Sequence, residues 1–273
     1  MVSVGWLAGC TAERVATNPS GVTPAAIGSG EKTVAVLQMN LCNSGRASCY
    51  SQGRAVSMAA ALIHRHRPEI VSLNEACRDD VLVLKQAMST AFPAGSVASA
   101  FKSAEDRPSR APVRCQNGQE FGNGILAVVP SSAHGVRSSS GVYPVQDLND
   151  PEERAWVCLD LVTQFTACST HTASTSATIA LAQCQYVLNS TMPLMLRPDG
   201  SDPIILAGDL NLRTGGSPSP DSCLPRSYAR TDDGGVQTVV VGPGLGIRSH
   251  SAIDTRGTTD HPALLVEVVL SRP

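Results

Sequence analysis

Several apolar runs in this chain stop in the same way, each meeting a carboxylate, an amide or an imidazole at its last residues. The run "AVLQMN" stops at Asn40, "IVSLNE" at Glu75, "TACSTH" at His171, and "IILAGDLN" at Asp209 and Asn211. "TTDH" sets Asp260 and His261 directly ahead of the final run, "PALLVEVVL". Such runs are continuous rather than alternating, which is the pattern of strands covered on both faces. A buried strand holds its end rigidly, so polar groups at several ends can converge on one edge of the sheets.

The remaining pattern places these strands in a mixed fold. Thr33–Leu41 reads as a strand, Arg54–Arg67 as a helix that stops before Pro68, and Glu69–Cys77 as a strand. Residues 79–92 have helical spacing, with Asp79 and Asp80 in the first turn, where the helix dipole favours anions. Residues 93–120, rich in Ser, Pro, Arg and Gly, read as a long loop. Further strands are expected at Gly124–Val129, Ala155–Val162 and Phe165–Thr172, and a helix at Thr178–Leu196 with Pro193 near its end. "PIILAGDLNL", "VQTVVVG" and "PALLVEVVL" supply the last strands. Strands and helices mix in both halves, so residues 32–273 are expected to form one α/β or α+β domain. Residues 1–31 read as a leader and flexible tether.

That leader contains Leu7-Ala8-Gly9-Cys10, which resembles a bacterial lipobox, and a Ser/Thr/Gly/Pro/Ala-rich stretch follows it. Lipidation of Cys10 would anchor the chain to a membrane; only "MVSVGW" precedes the box, shorter than a signal peptide requires. With Cys10 set aside, eight of the nine cysteines remain, an even number without zinc spacing. Disulfides and an extracellular or cell-envelope location are therefore expected. Eight cysteines allow 105 pairings; Cys42 with Cys49, and Cys158 with Cys168, look local, and the pairing of the others stays open.

A formal net charge of −2 and 16% charged residues give no global basic field for nucleic acid. A polyanionic substrate would need a local site. Arg107, Arg110 and Arg114, with Lys102 nearby, crowd one stretch and could grip phosphates, or form a solvated loop. The strand-end set itself has a definite chemistry. Carboxylates and amides suit a hard cation such as Mg²⁺ or Mn²⁺, and imidazoles beside them suit proton transfer. Together they are equipment for hydrolysing a phosphate ester. Singly, each residue has a plainer role: Glu75 could pair with Arg78, and Asp260 with His261.

"QMNL", "LNE", "FGNGILAV", "STHT", "GDLNL" and "TTDHPAL" occur in the order of the endonuclease/exonuclease/phosphatase family, which this chain resembles from about Thr33 to Leu270. The resemblance implies a four-layer sandwich, two β-sheets face to face with helices outside, and divalent-metal phosphoesterase activity. It implies Glu75 as principal metal ligand helped by Asn40, and His171 as a contact to the scissile phosphate. Asp209 would orient or deprotonate water, Asn211 would hold water or a phosphate oxygen, and His261, oriented by Asp260, would be general base or phosphate contact. Asn123 in "FGNG" is a phosphate-side candidate and Glu120 a weaker one. The chain departs from the family pattern at Gln237, where an acid is common; Asp232 or Asp233 could substitute. The expected partner is a phosphoester, DNA among the candidates, acted on by a monomer. With only 4% aromatics the chain offers little for inserting into lipid, which tilts the expectation away from a membrane lipid towards a nucleic-acid or soluble phosphoester substrate, with a lipid or inositol phosphate as the alternative. A non-catalytic, envelope-anchored binding protein is the alternative, because glutamine cannot neutralise an imidazolium or a metal.

Overall fold

The structure, a computed structural model, describes residues 32–195 and 203–270. The leader, Cys10 and the last residue of the expected 178–196 helix lie outside the described residues.

The described residues open with β1 (Lys32–Asn40), cross through α1 (Arg54–His66) and return as β2 (Ile70–Cys77), parallel to β1. Helix α1 buries Ala55, Val56, Ala59, Leu62 and Ile63 along one stripe, and stops where Arg67 turns left-handed (φ 49°) before Pro68. Helix α2 (Arg78–Ala91) follows at once, its start fixed by the Asp80 carboxylate, which accepts from the Cys77 amide at 2.7 Å. Then come β3 (Ser96–Ser103), the two-residue strands β4 (Glu105–Asp106) and β5 (Ala111–Pro112), β6 (Phe121–Val129) and β7 (Val136–Val142). Residues 93–120 are thus not a plain loop.

The second half runs β8 (Glu152–Glu153), β9 (Ala155–Leu161), β10 (Phe165–His171) and α3 (Ala177–Tyr186), with Ser176 capping α3. The expected continuous helix breaks here: a π turn at Val187–Thr191 separates α3 from α4 (Met192–Met195). Strand β11 (Ile204–Asp209), a 3₁₀ turn at Pro220–Cys223, β12 (Ala229–Asp232), β13 (Gln237–Val241), β14 (Leu245–Ile253) and β15 (Ala263–Leu270) complete it.

Two six-stranded sheets result, in the orders β14-β15-β1-β2-β6-β3 and β12-β13-β11-β10-β9-β7. Each holds one parallel pair at its centre, β1/β2 and β10/β11, flanked by antiparallel neighbours. Three separate cores define the layers. Leu37, Leu73, Ile63 and Leu84 pack α1 and α2 on the outer face of the first sheet. Val36, Ile70, Leu159, Ile205 and Val266 fill the space between the sheets. Leu206, Ala180, Val187 and Val240 pack α3 on the outer face of the second. This is the four-layer sandwich.

All eight described cysteines pair: Cys42–Cys49, Cys77–Cys115, Cys158–Cys168 and Cys184–Cys223. Both local pairs expected from the sequence are present. Among the described residues no helix is long and apolar enough to cross a membrane.

Candidate active site

Strands β1, β2, β10 and β11 point their C-terminal ends the same way within their parallel pairs; β1, β10 and β11 end on Asn40, His171 and Asp209, and Glu75 lies two residues before the end of β2. Side chains alternate along a strand, so Val34, Val36, Gln38 and Asn40 face the second sheet while Leu37 and Met39 face the helices. The same parity puts Ala167, Ser169 and His171, and Ile205, Ala207 and Asp209, on the inter-sheet side. Glu75 breaks parity. Asn74 shares the inner face with Ile70 and Ser72, so Glu75 should point at the helices. The ladder between β2 and β6 slips between Leu73 and Ala76, and Glu75 itself adopts φ 53°. This bulge re-aims its carboxylate into the site.

At the rim, an open cleft of about 520 Å³ brings together Glu75, His171, Asp209, Asn211, Asp260 and His261. Asn40 lies directly beneath: its Nδ2 donates to Glu75 Oε1 at 2.8 Å and to Asp209 Oδ2 at 3.3 Å, while its Oδ1 accepts from the Cys42 amide. Asp209 is 1% exposed and firmly held. Its Oδ2 also accepts from Gln237 Nε2 at 2.8 Å, and its Oδ1 from the Asn211 amide at 3.1 Å. His261 Nε2 stands 3.6 Å from Asp209 Oδ2 and 3.7 Å from Asp260 Oδ1. The segment carrying both is pinned by Thr259, whose hydroxyl donates to the Asn40 carbonyl at 2.9 Å. Asn211 takes φ 49° and donates from Nδ2 to the Thr172 carbonyl.

Below the cleft runs a row of buried amides between the sheets. Gln38 Nε2 donates to Asn74 Oδ1 (2.7 Å) and to Gln237 Oε1 (2.8 Å), and Asn74 Nδ2 donates to Asn123 Oδ1 (3.0 Å). Asn123 does not line the cleft; its own Nδ2 is bound to the Ala155 carbonyl. Glu120 pairs with Arg78 instead of facing the site. Asp232 is occupied by Arg230 and Thr214, and Asp233 accepts from the Gly235 and Gln237 amides of its own turn. Lys102 pairs with Glu105, Arg110 with Glu153, and Arg107 binds the Leu148 and Asp150 carbonyls; none of these lines the cleft.

Three charged cleft residues escaped the sequence reading: Glu152 and Arg154 at its floor, and Arg46 at its mouth. Strand β9 is antiparallel to β10, so the residues that lead into it, Glu152 of β8 and Arg154, arrive at the edge where β10 ends. Polar groups at the start of an apolar run carry the same signal as those at its end, as Asp260 and His261 already do. Arg154 is 6% exposed; Nη2 lies 2.8 Å from Asp150 Oδ2, and Nη1 lies 3.2 Å from Glu152 and 3.0 Å from His171 Nδ1. Burial disfavours its charge, but Glu152, Asp150 and Glu75 outweigh that and raise its pKa. Burial, then the Arg154 and His261 charges, drive the His171 pKa well below 6.5, so the ring is neutral and accepts from the guanidinium. Burial pushes Glu152 up to about 7 against the pull of Arg154. Burial also raises Glu75, opposed by the Asn40 hydrogen bond and assisted by Asp209 and Asp260. Glu75, Asp209 and Asp260 offer hard oxygen donors at one rim, the donor chemistry that a divalent cation such as Mg²⁺ takes.

In sequence, no family model and no curated protein matches the chain. In structure the likeness is extensive. An endonuclease/exonuclease/phosphatase family protein from Bacteroides thetaiotaomicron superposes with a TM-score of 0.62 at 13% identity, covering 89% of this chain and 99% of that one. A mannosyl-6-phosphatase from the same species also gives 0.62 at 13% identity, over 86% and 99% of the two chains. D. rerio TDP2, complexed with a single-strand DNA product, gives 0.59 at 14% identity, over 86% and 98%. Near end-to-end coverage of both chains at these TM-scores carries one conclusion: this chain has the fold of the endonuclease/exonuclease/phosphatase family.

Proposed function

We propose that the protein is a divalent-metal-dependent phosphoester hydrolase, a secreted phosphodiesterase or nuclease. The observation that carries this reading is the meeting of Glu75, His171, Asp209, Asn211, Asp260 and His261, from both sheets, in one cleft. Proteins of the same fold include a phosphatase and a protein bound to a DNA product. Glu75, with Asn40 beside it, would hold the cation, which supplies charge neutralisation at a phosphoryl oxygen. Asp209, fixed by three donors, is suited to orient an attacking water, and His261 beside it to take the proton. His171, neutral and held against Arg154 Nη1 (3.0 Å from Nδ1, 3.2 Å from Nε2), would contact the phosphate, with the Arg154 charge behind it to offset the charge that develops there. Four disulfides support an oxidising, extracellular or cell-envelope setting, and lipidation at Cys10 belongs to the same proposal.

The test is hydrolysis of bis-p-nitrophenyl phosphate and plasmid DNA with Mg²⁺ or Mn²⁺. Turnover should vanish in EDTA and fall roughly 10²–10⁴-fold in Asp209→Asn and His261→Ala. One observation favours the alternative, a binding protein on the same scaffold: Gln237 stands against Asp209 and brings no charge. Wild-type turnover no higher than that of His261→Ala would establish that alternative.

A further inference from the structure

We infer that Arg46 binds a second phosphate of the substrate, beside the one hydrolysed, and so directs the cleft towards a nucleic-acid strand. This rests on the phosphoesterase reading and names its substrate class. Arg46 lies in "CNSGRASC", a loop closed by the Cys42–Cys49 disulfide, and lines the cleft mouth with Ser44 and Ala47. The loop is clamped to its neighbour. The Ser44 carbonyl accepts from the Gln116 amide at 2.7 Å, and Arg46 Nε donates to the Arg114 carbonyl at 3.0 Å. Gly45 sits at φ 80° against Gln116, where an added Cβ would come within 2.6 Å of Gln116 Cβ. That neighbour is itself tied back to β2 by Cys77–Cys115.

The clamp uses Nε and leaves the two terminal nitrogens of an exposed guanidinium available. Among the described residues Arg46 has no carboxylate partner, whereas Arg154 at the cleft floor is held by Asp150 and Glu152. The cleft walls carry Glu75, Glu152, Asp209 and Asp260, which repel a polyanion. A positioned, unpaired arginine at the mouth answers that repulsion, and its planar fork matches phosphate oxygens. A phosphate contact at the floor from His171 and a cationic one at the mouth from Arg46 suit a substrate with more than one phosphate.

The test compares full-length wild type, Arg46→Ala, Arg46→Lys and Arg65→Ala. The last removes the same charge from the exposed end of α1, away from the cleft. The ratio of kcat/KM for a short single-stranded oligonucleotide to that for bis-p-nitrophenyl phosphate should fall about tenfold in Arg46→Ala, through KM. It should fall less in Arg46→Lys and hold in Arg65→Ala. In EDTA, without turnover, fluorescence anisotropy of the labelled oligonucleotide should show the slope of log K against log salt reduced by about one in Arg46→Ala. An equal fall on both substrates, or Arg46→Ala behaving as Arg65→Ala does, would overturn the inference. Absence of hydrolysis by wild type counts against the phosphoesterase reading instead, and the anisotropy arm still decides Arg46.

Discussion

His171 and Glu152 lie on either side of Arg154 and titrate in opposite senses. The unfolded chain protonates His171 near pH 6.5 while the native state resists, so acidification through that region lowers stability. Glu152, held at about 7 when folded against 4.5 otherwise, takes up its proton first in the native state, so acidification from 7 towards 4.5 raises stability. The two effects oppose each other as pH falls below 6.5, where the unfolded His171 protonates and Glu152 lies between about 7 and 4.5. Urea unfolding across that window should show His171→Gln gaining stability relative to Glu152→Gln as pH falls, by up to about 1.4 kcal/mol per pH unit for each unmatched proton. Parallel slopes in the two variants would contradict the assignment. Gln237 makes a second case. Its amide donates to Asp209 and accepts from Gln38, so Gln237→Glu, which restores the acid common in the family, sets two carboxylates face to face. Activity is expected to drop in that variant rather than rise, as a kcat measurement on bis-p-nitrophenyl phosphate would reveal.

Among the elements, legibility in the sequence followed position in the sheet. The central strands β1, β2, β6, β9, β10, β11, β13 and β15 stand out as apolar runs because both their faces are covered. The four edge strands, β3, β7, β12 and β14, do not. "VRSSSGV" and "LGIRSHSAI" are mostly exposed and polar, as edges that must not recruit another chain tend to be, and periodicity has nothing to register there. The site was legible for a related reason: its residues terminate the central strands. What stayed hidden was geometry set by the backbone, namely the bulge that turns Glu75 inward, and the antiparallel start of β9 that delivers Glu152 and Arg154. Gly208 shows how tight the packing at this edge is. A Cβ there would lie 2.0 Å from the Thr170 carbonyl on β10. Gly208→Ala is therefore expected to destabilise the protein by about 1–3 kcal/mol, read from urea midpoints, and to impair turnover by displacing Asp209.

On the scale of the whole molecule, each disulfide stays within one half of the sandwich. Cys42–Cys49 and Cys77–Cys115 serve the first sheet, Cys158–Cys168 and Cys184–Cys223 the second. Among the described residues the sheets are joined across their interface without a disulfide, by apolar packing, the buried amide row and hydrogen bonds such as Ser72 to Ser169 and Asn40 to Asp209. The two long loops, with sequence separations of 38 and 39, would each contribute roughly 4 kcal/mol by restricting the unfolded chain. Reduction is expected to lower the melting temperature steeply, and before reduction the eight core cysteines should resist alkylation in denaturant. The pairing of β1 with β15 reaches further. The earliest strand waits for the latest, so a growing polypeptide has an unfinished first sheet until nearly the whole domain has left the ribosome. Such a chain remains threadable throughout its synthesis, and the cleft cannot come into being before its final segment arrives.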